Sequence, residues 1–350
     1  MAELEPYRTQ QHRAEVRIQA NEWPEPNPVG RYVAAEELDQ LLLNRYPGRG
    51  EELRSVLSER WRVRPEQLIL GNGSNEVLLG VFLVFGGHAR KTLLFQPTYS
   101  MHARLTVIAG GEAESEMIGL PYDLRTDRAL EAMGRVRPEV VVFTSPNNPT
   151  GNVIDEQVIL AVAETYPDSL VLVDEAYADF AGTSLVPRIA NNPNLVVSKT
   201  FSKVRAAAGL RVGVLIVHPE LVGYFTAAQL PYNMSALTLA VAVRIARDDA
   251  SVERRLAMVA SERQRVYEAL RAVAAIETFP SVANFVLFRL REGVTAEVHA
   301  RFLKQSVLIR DVSNWPGCER CLRASIGTPA ENDRFIAALE TVFAPTSARR

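Results

Sequence analysis

The sequence predicts an α/β protein, with a large unit whose mostly parallel central sheet is wrapped by helices and a smaller α/β unit built from both chain ends. Two observations predict it. Between about residue 65 and residue 217, short runs rich in Val, Ile and Leu alternate with segments of helical periodicity. That alternation is the pattern of a sheet covered on both faces by crossover helices. After residue 235 it gives way to long helical stretches and then to short strands around one helix, which reads as the second unit.

In chain order, residues 34–62 carry two amphipathic helices, 35–43 and 51–61, broken at Tyr46-Pro47-Gly48, a pair of turn formers. Strands are expected at 68–70, 92–95, 140–144, 170–174, 195–198 and 212–217, most of them continuous in apolar residues rather than alternating. Helices are expected between them at 75–84, 101–108, 127–133 and 156–165. Helices at 236–246 and 252–273 follow, the second carrying the chain between the units. Strands at 284–290, 307–309 and 322–326 surround a helix at 295–305, and a helix at 331–342 closes the chain. The composition shift at Arg247-Asp248-Asp249 places the boundary. The large unit is then 46–250, and the small one 1–45 with 251–350.

Composition excludes several classes. The chain has 350 residues, enough to bury a large core. Its 39 basic and 41 acidic residues leave no basic surplus to neutralise nucleic-acid phosphates. The longest apolar runs, 81–85 and 237–243, fall far below the ~20 residues that span a bilayer. The start Met-Ala-Glu-Leu-Glu-Pro lacks the basic and apolar regions of a signal peptide. The cytoplasm is the expected compartment, with neither nucleic acid nor membrane as partner. Cys318 and Cys321 form a Cys-x-x-Cys pair, yet no two further ligands stand nearby to complete a zinc site. The pair precedes a strand instead of opening a helix after a first strand, as a thioredoxin-like pair does. They read as two ordinary thiols, and no metal is expected.

Only four of the 39 basic residues are lysines: Lys91, Lys199, Lys203 and Lys304. The arginine excess reads as a coding bias, and it singles out the lysines that remain. A lysine can lose its proton and form a Schiff base, whereas a guanidinium stays charged. Lys199 and Lys203 share one five-residue stretch.

Ligands of a parallel sheet gather at the carboxyl ends of its strands, so the loops that follow the strands carry the functional reading. The first, Gly71-Asn72-Gly73-Ser74-Asn75-Glu76, has small residues that let backbone amides approach an anion at a helix N-terminus. By itself it also fits a tight turn capped by Ser74 or Asn75, and it matches neither the Walker nor the dinucleotide pattern. Tyr99, in Gln96-Pro97-Thr98-Tyr99, is placed to stack on a flat ring or to be one more half-buried aromatic. Ser145-Pro146-Asn147-Asn148-Pro149-Thr150-Gly151 fixes a turn and aims an amide side chain. Asp174-Glu175-Ala176-Tyr177 puts a carboxylate at the end of a buried strand, costly unless something positive meets it. Lys199-Thr200-Phe201-Ser202-Lys203 with Arg211 groups a hydroxyl, an amine and a guanidinium; the plainer alternative is a solvated basic turn. Together the five loops meet one demand. A pyridine cofactor with a phosphate and an aldehyde needs an anion cradle, a stacking ring, a carboxylate for its ring nitrogen, donors for its ring oxygen and a lysine.

On these strings, with Asn44-Arg45-Tyr46-Pro47, Ala208-Gly209-Leu210-Arg211 and Cys321-Leu322-Arg323, the chain resembles the pyridoxal-5′-phosphate (PLP) aminotransferases of the aspartate aminotransferase fold, fold type I. Among them it is most similar to the histidinol-phosphate aminotransferases of histidine biosynthesis. The resemblance runs from Leu4-Glu5-Pro6-Tyr7 to the last helix. It implies that Lys203 carries the PLP aldehyde and acts as general base, with Lys199 as the rival. It implies that Asp174 pairs with the ring nitrogen, that Asn148 and Tyr177 bind the ring oxygen, and that Tyr99 stacks on the ring. Ser74, Asn75, Ser202 and Arg211 hold the phosphate, joined by Tyr46 of a neighbouring subunit in a homodimer with shared active sites. Tyr7, Asn284, Arg310 and Arg323 are the implied substrate contacts. The reactants implied are a small-molecule amine donor and a 2-oxo acid acceptor.

Two stretches depart from the family pattern. Asn21-Glu22-Trp23-Pro24 puts an indole where a smaller polar residue is common, and Val204-Arg205 replaces a small residue followed by an aromatic. An aromatic amino-acid aminotransferase and a threonine-phosphate decarboxylase are the alternatives within the subfamily. A DNA-bound regulator of the same fold would need an added helix-turn-helix domain and a basic surplus. A hydrolase-like Ser/Thr-x-x-Lys reading of Thr200–Lys203 has no other hydrolase element beside it.

Overall fold

The computed structural model of the chain describes residues 12–344. The elements begin with β1 (Val16–Arg17), α1 (Ala35–Leu38) and α2 (Glu51–Trp61). The alternating region comprises β2 (Leu68–Gly71), α3 (Ser74–Phe85), β3 (Lys91–Gln96), α4 (Met101–Ile108), β4 (Glu112–Met117), α5 (Thr126–Val136), β5 (Val140–Thr144), α6 (Glu156–Thr165), β6 (Leu170–Asp174), α7 (Ala178–Ala181), β7 (Leu195–Thr200) and β8 (Gly213–Ile216). The rest comprises α8 (Val222–Ala228), α9 (Ala236–Arg247), α10 (Asp249–Arg271), β9 (Ile276–Thr278), β10 (Phe285–Leu290), α11 (Thr295–Lys304), β11 (Val307–Leu308), β12 (Arg310–Asp311), β13 (Cys321–Ser325) and α12 (Pro329–Phe343).

The large sheet has seven strands in the order β2-β8-β7-β6-β5-β3-β4. It is parallel except for β8, which runs antiparallel to both neighbours. The link from β7 to β8 carries no crossover α-helix, so the chain turns straight back. Strand alternation sorts the core. Val141, Phe143, Val171, Val173 and Val197 face one layer with α2, α5, α6 and α9. Val140, Val142, Leu170, Leu172 and Val196 face the other with α3, α4 and α8. Each such side chain contributes roughly 1.5–3 kcal/mol by leaving water.

A four-stranded antiparallel sheet, β12-β13-β10-β9, and the parallel pair β1-β11 form the second layer. Their core packs on α10, α11 and α12 through Val266, Phe302 and Phe335. Helix α12 starts with a capping box, Thr328 bonding the Glu331 amide and Glu331 reaching back, with Pro329 in its first turn.

Several features differ from the sequence expectation: β1, α7, α8, β9 and β12 were not among the expected elements, and three further differences have a plain physical reason. Strand β4 was not expected; its sequence is polar because it is an edge strand, paired only with β3 and partly solvated. The helix expected over 35–43 ends at Leu38, where the bonds Gln40 N–Glu37 O and Leu41 N–Leu38 O shorten to the three-residue pattern. Leu42 and Leu43 then stand 63% and 89% exposed, with no apolar surface among the described residues to hold a longer helix. Neither Ser74 nor Asn75 caps α3; Gly73 occupies the cap and no side chain bonds there.

Candidate active site

The carboxyl ends of β3, β5, β6 and β7 face the small sheet across a cleft of about 270 Å³. Its wall includes Ser74, Asn75, Tyr99, Asn148, Asp174 and Tyr177. Ser202, Lys203, Arg211, Arg310 and Arg323 complete the predicted residues found there.

Asp174 ends β6 and is 3% exposed. Its Oδ1 accepts from Ser198 Oγ at 2.9 Å and from the Ala176 amide at 3.2 Å. Its Oδ2 meets His102 Nε2 at 3.1 Å. A carboxylate is an acceptor only, so the imidazole donates. These bonds meet the requirement that a carboxylate on a buried strand find donors. The sequence reading missed His102. It lies three residues past Tyr99, at the start of α4, and its ring meets Tyr99 edge-on at 5.4 Å.

The anion cradle is built by close backbone approach. Gly73 has φ +91°, and a Cβ there would run into the Arg211 guanidinium. A Cβ on Gly213, at the start of β8, would strike the backbone of Gly73 and Ser74. The amino end of α3 and Arg211 therefore converge on one spot, where amides and the helix dipole favour an anion. Ser202 sits beside them, its Oγ accepting from Thr200 Oγ1 at 3.0 Å.

The two lysines separate. Lys203, half-buried in the β7–β8 loop, donates from Nζ to Ala20 O at 3.2 Å and lies 5.6 Å from the centre of the Tyr177 ring. Lys199 is inside β7, where side chains alternate: Ser198 reaches Asp174, Thr200 lines the cleft, and Lys199 points the other way. Its Nζ meets Glu175 Oε2 at 2.7 Å and Asp179 at 3.9 Å, above the Trp61 ring. Burial pulls its pKa down, but Glu175 and Asp179 more than offset this and leave it above the ordinary lysine value. An ammonium held in its charged form by two carboxylates is a poor nucleophile.

At the small sheet, Arg323 is 5% exposed. It donates from Nη1 to Asn148 Oδ1 and from Nη2 to Gln19 O at 2.9 Å, and lies over the Phe285 ring. Arg310 stands directly opposite Arg323 on the neighbouring strand. Asn21, also missed, donates from Nδ2 to Tyr177 Oη at 2.9 Å and exchanges bonds with Ser325. Asn284 lies behind it and donates to the Asn21 carbonyl at 3.2 Å, away from the cleft wall. Tyr46 is not brought to this cleft; it is 81% exposed and stacks on Tyr232 at 4.4 Å. Tyr7 lies outside the described residues.

The sequence model of the family described as aminotransferase class I and II matches residues 18–339. The chain belongs to that family. It is 33% identical over 341 residues to the histidinol-phosphate aminotransferase of Aquifex aeolicus, covering 97% of this chain and 95% of that protein. The aminotransferase superposes on the crystal structure of the histidinol-phosphate aminotransferase from Clostridium acetobutylicum with a TM-score of 0.86, at 23% identity, over 93% of this chain and 98% of that one. The enzyme of that name from Sinorhizobium meliloti, solved in complex with pyridoxal-5′-phosphate, gives a TM-score of 0.84 at 21% identity, over 95% and 91% of the two chains. The fold is thus PLP fold type I, and the enzyme is a PLP-dependent aminotransferase.

Proposed function

We propose that this aminotransferase moves the amino group of L-histidinol phosphate to 2-oxoglutarate, giving imidazole acetol phosphate and glutamate in histidine biosynthesis. The observation that carries the substrate is the pair Arg310 and Arg323, opposite each other on neighbouring strands and both on the cleft wall. Like charges facing across a ladder repel. A phosphate between them replaces that repulsion with charge-assisted hydrogen bonds. The names of the relatives support the same donor.

The residues present fit the cofactor: a glycine-built cradle beside Arg211, and a buried carboxylate held by His102 and Ser198. PLP, when bound, supplies an electron sink for the donor carbon that loses its proton. In this reading Ser74, Asn75, Ser202 and Arg211 hold its phosphate and Tyr99 covers its ring. Asp174 keeps a proton at the ring nitrogen. Tyr177 Oη accepts from Asn21, which leaves its own O–H to donate to the ring oxygen. Asn148 Oδ1 accepts from Arg323, which turns its amide NH₂ toward the same task. Lys203 Nζ would hold the cofactor's aldehyde group and would serve as the base that takes the proton from the donor carbon bearing the amine.

Tyr46 and Tyr232, stacked at 4.4 Å, and Leu42, Leu43 and Leu230 are large apolar side chains left exposed. They fit a homodimer in which Tyr46 completes the partner's phosphate cradle, acting in the cytoplasm. The division into a large unit, 46–250, and a small one, 1–45 with 251–350, is part of the same reading.

The test is glutamate formation from 2-oxoglutarate with three donors. Histidinol phosphate is expected to exceed phenylalanine in kcat/KM, and threonine phosphate to release no carbon dioxide. Faster turnover of phenylalanine would make the enzyme an aromatic aminotransferase, and carbon dioxide release would make it a decarboxylase.

A further inference from the structure

The two departures from the family pattern, Trp23 and Val204-Arg205, meet at one buried guanidinium. Arg255, on α10, is 6% exposed. Its Cζ lies 5.3 Å from the centre of the Trp23 ring, and its Nη1 donates to Val204 O at 3.3 Å. A desolvated guanidinium on an indole face is among the stronger cation–π contacts.

Both partners of Arg255 adjoin Lys203. Val204 follows it in the chain, and Trp23 follows the cleft-lining segment of residues 19–22. Within that segment Ala20 O accepts from Lys203 Nζ at 3.2 Å. The contacts therefore close a ring: amine to Ala20, along the chain to Trp23, through the indole to Arg255, and through Val204 back to Lys203. The same loop is tied twice more. Arg205 Nη1 donates to Ile245 O at 2.9 Å, and its Nη2 stands 3.6 Å from Asp249. Asn27 Nδ2 donates to Ala206 O at 3.0 Å.

We infer that Trp23 and Arg255 are positioning residues, which clamp the segment of residues 19–23 onto the β7–β8 loop and so fix the Lys203 amine in the cleft. The inference rests on Lys203 being the reacting amine, so its test separates the clamp from that assignment. In cofactor-free protein, hydrogen–deuterium exchange of residues 19–24 reads the clamp alone. W23A and R255M are each expected to speed that exchange about ten-fold, the size such a contact supports. R255K keeps the charge without the planar face and is expected to fall between R255M and wild type. The double variant W23A/R255M is expected to match the single ones, because the two side chains act as one unit. W23F keeps a ring over Arg255 and is expected to stay near wild type. In the PLP-loaded enzyme W23A is expected to lower kcat about ten-fold and leave the KM for 2-oxoglutarate within two-fold, with W23F restoring kcat. Unchanged exchange, multiplicative effects in the double variant, or W23F as damaged as W23A would overturn the clamp. Borohydride reduction of the loaded wild type reads the amine separately; label on a lysine other than Lys203 would overturn that assignment and the role of the clamp in fixing it.

Discussion

Replacing Lys199 with Met tests the buried pair behind the active site. Lys199 and Glu175 side chains are 9% and 2% exposed, with 2.7 Å between their charged atoms. Removing one partner of a buried pair costs about 3–5 kcal/mol, because the other charge is left uncompensated. Glu175 would keep Ser184 Oγ at 2.7 Å and the Leu185 amide at 2.5 Å. These bonds place the loss at the low end, about 3 kcal/mol, or roughly 4 °C in Tm for a chain of this length. Calorimetry and urea denaturation of K199M, E175Q and the double variant measure it. The double variant should recover most of the loss, since no charge is then stranded.

The pH dependence carries a second check. In the wild type the raised pKa of Lys199 means the pair's stabilisation is complete below the ordinary lysine range and fades only as pH climbs through the folded value. K199M lacks the group that produces this alkaline fade, so the variant's deficit should shrink as pH climbs through the range where the wild type loses its pair. A deficit that is flat with pH, or a double variant no better than K199M, would refute the reasoning.

Four further outcomes are expected. K203A should lose transamination and the visible absorbance of the bound cofactor together, read in one spectrophotometric assay. G73A puts a side chain at φ +91° against Arg211; strain of about 1–3 kcal/mol should weaken PLP binding roughly ten-fold or more, measured by fluorescence titration. R310A should raise the KM for histidinol phosphate roughly ten- to hundred-fold, the loss of one charge-assisted bond, and leave that for phenylalanine nearly unchanged. L43D, at an exposed leucine three residues before Tyr46, should convert the proposed dimer to monomers in light scattering.

The parallel sheet was legible because its strands are buried on both faces and therefore written as unbroken apolar runs, as at Val140–Thr144. Strand β4 was not, because an edge strand need bury neither face. Residues 42 and 43 read as helix because leucine spacing looks the same whether or not the fold supplies a surface to cover it. The cleft residues were legible loop by loop, since a strand's carboxyl end is a fixed address. His102, Asn21 and Arg255 were not, because they act on partners across 72, 156 and 51 positions of sequence. Such support leaves no local pattern. Lys199 looked like a competitor of Lys203 until strand alternation turned it to the opposite face.

The facing arginines of β12 and β13 also bear on how the enzyme is handled. In the proposed reading, two arginines opposite each other across the ladder would make the resting protein a receptor for small oxyanions. Inorganic phosphate or sulfate in a buffer would then compete with the donor, and a KM measured in phosphate would describe the buffer as much as the enzyme. The same anions should stabilise the folded protein by mass action, so a preparation that keeps best in ammonium sulfate would be the one whose substrate affinity is most easily underestimated.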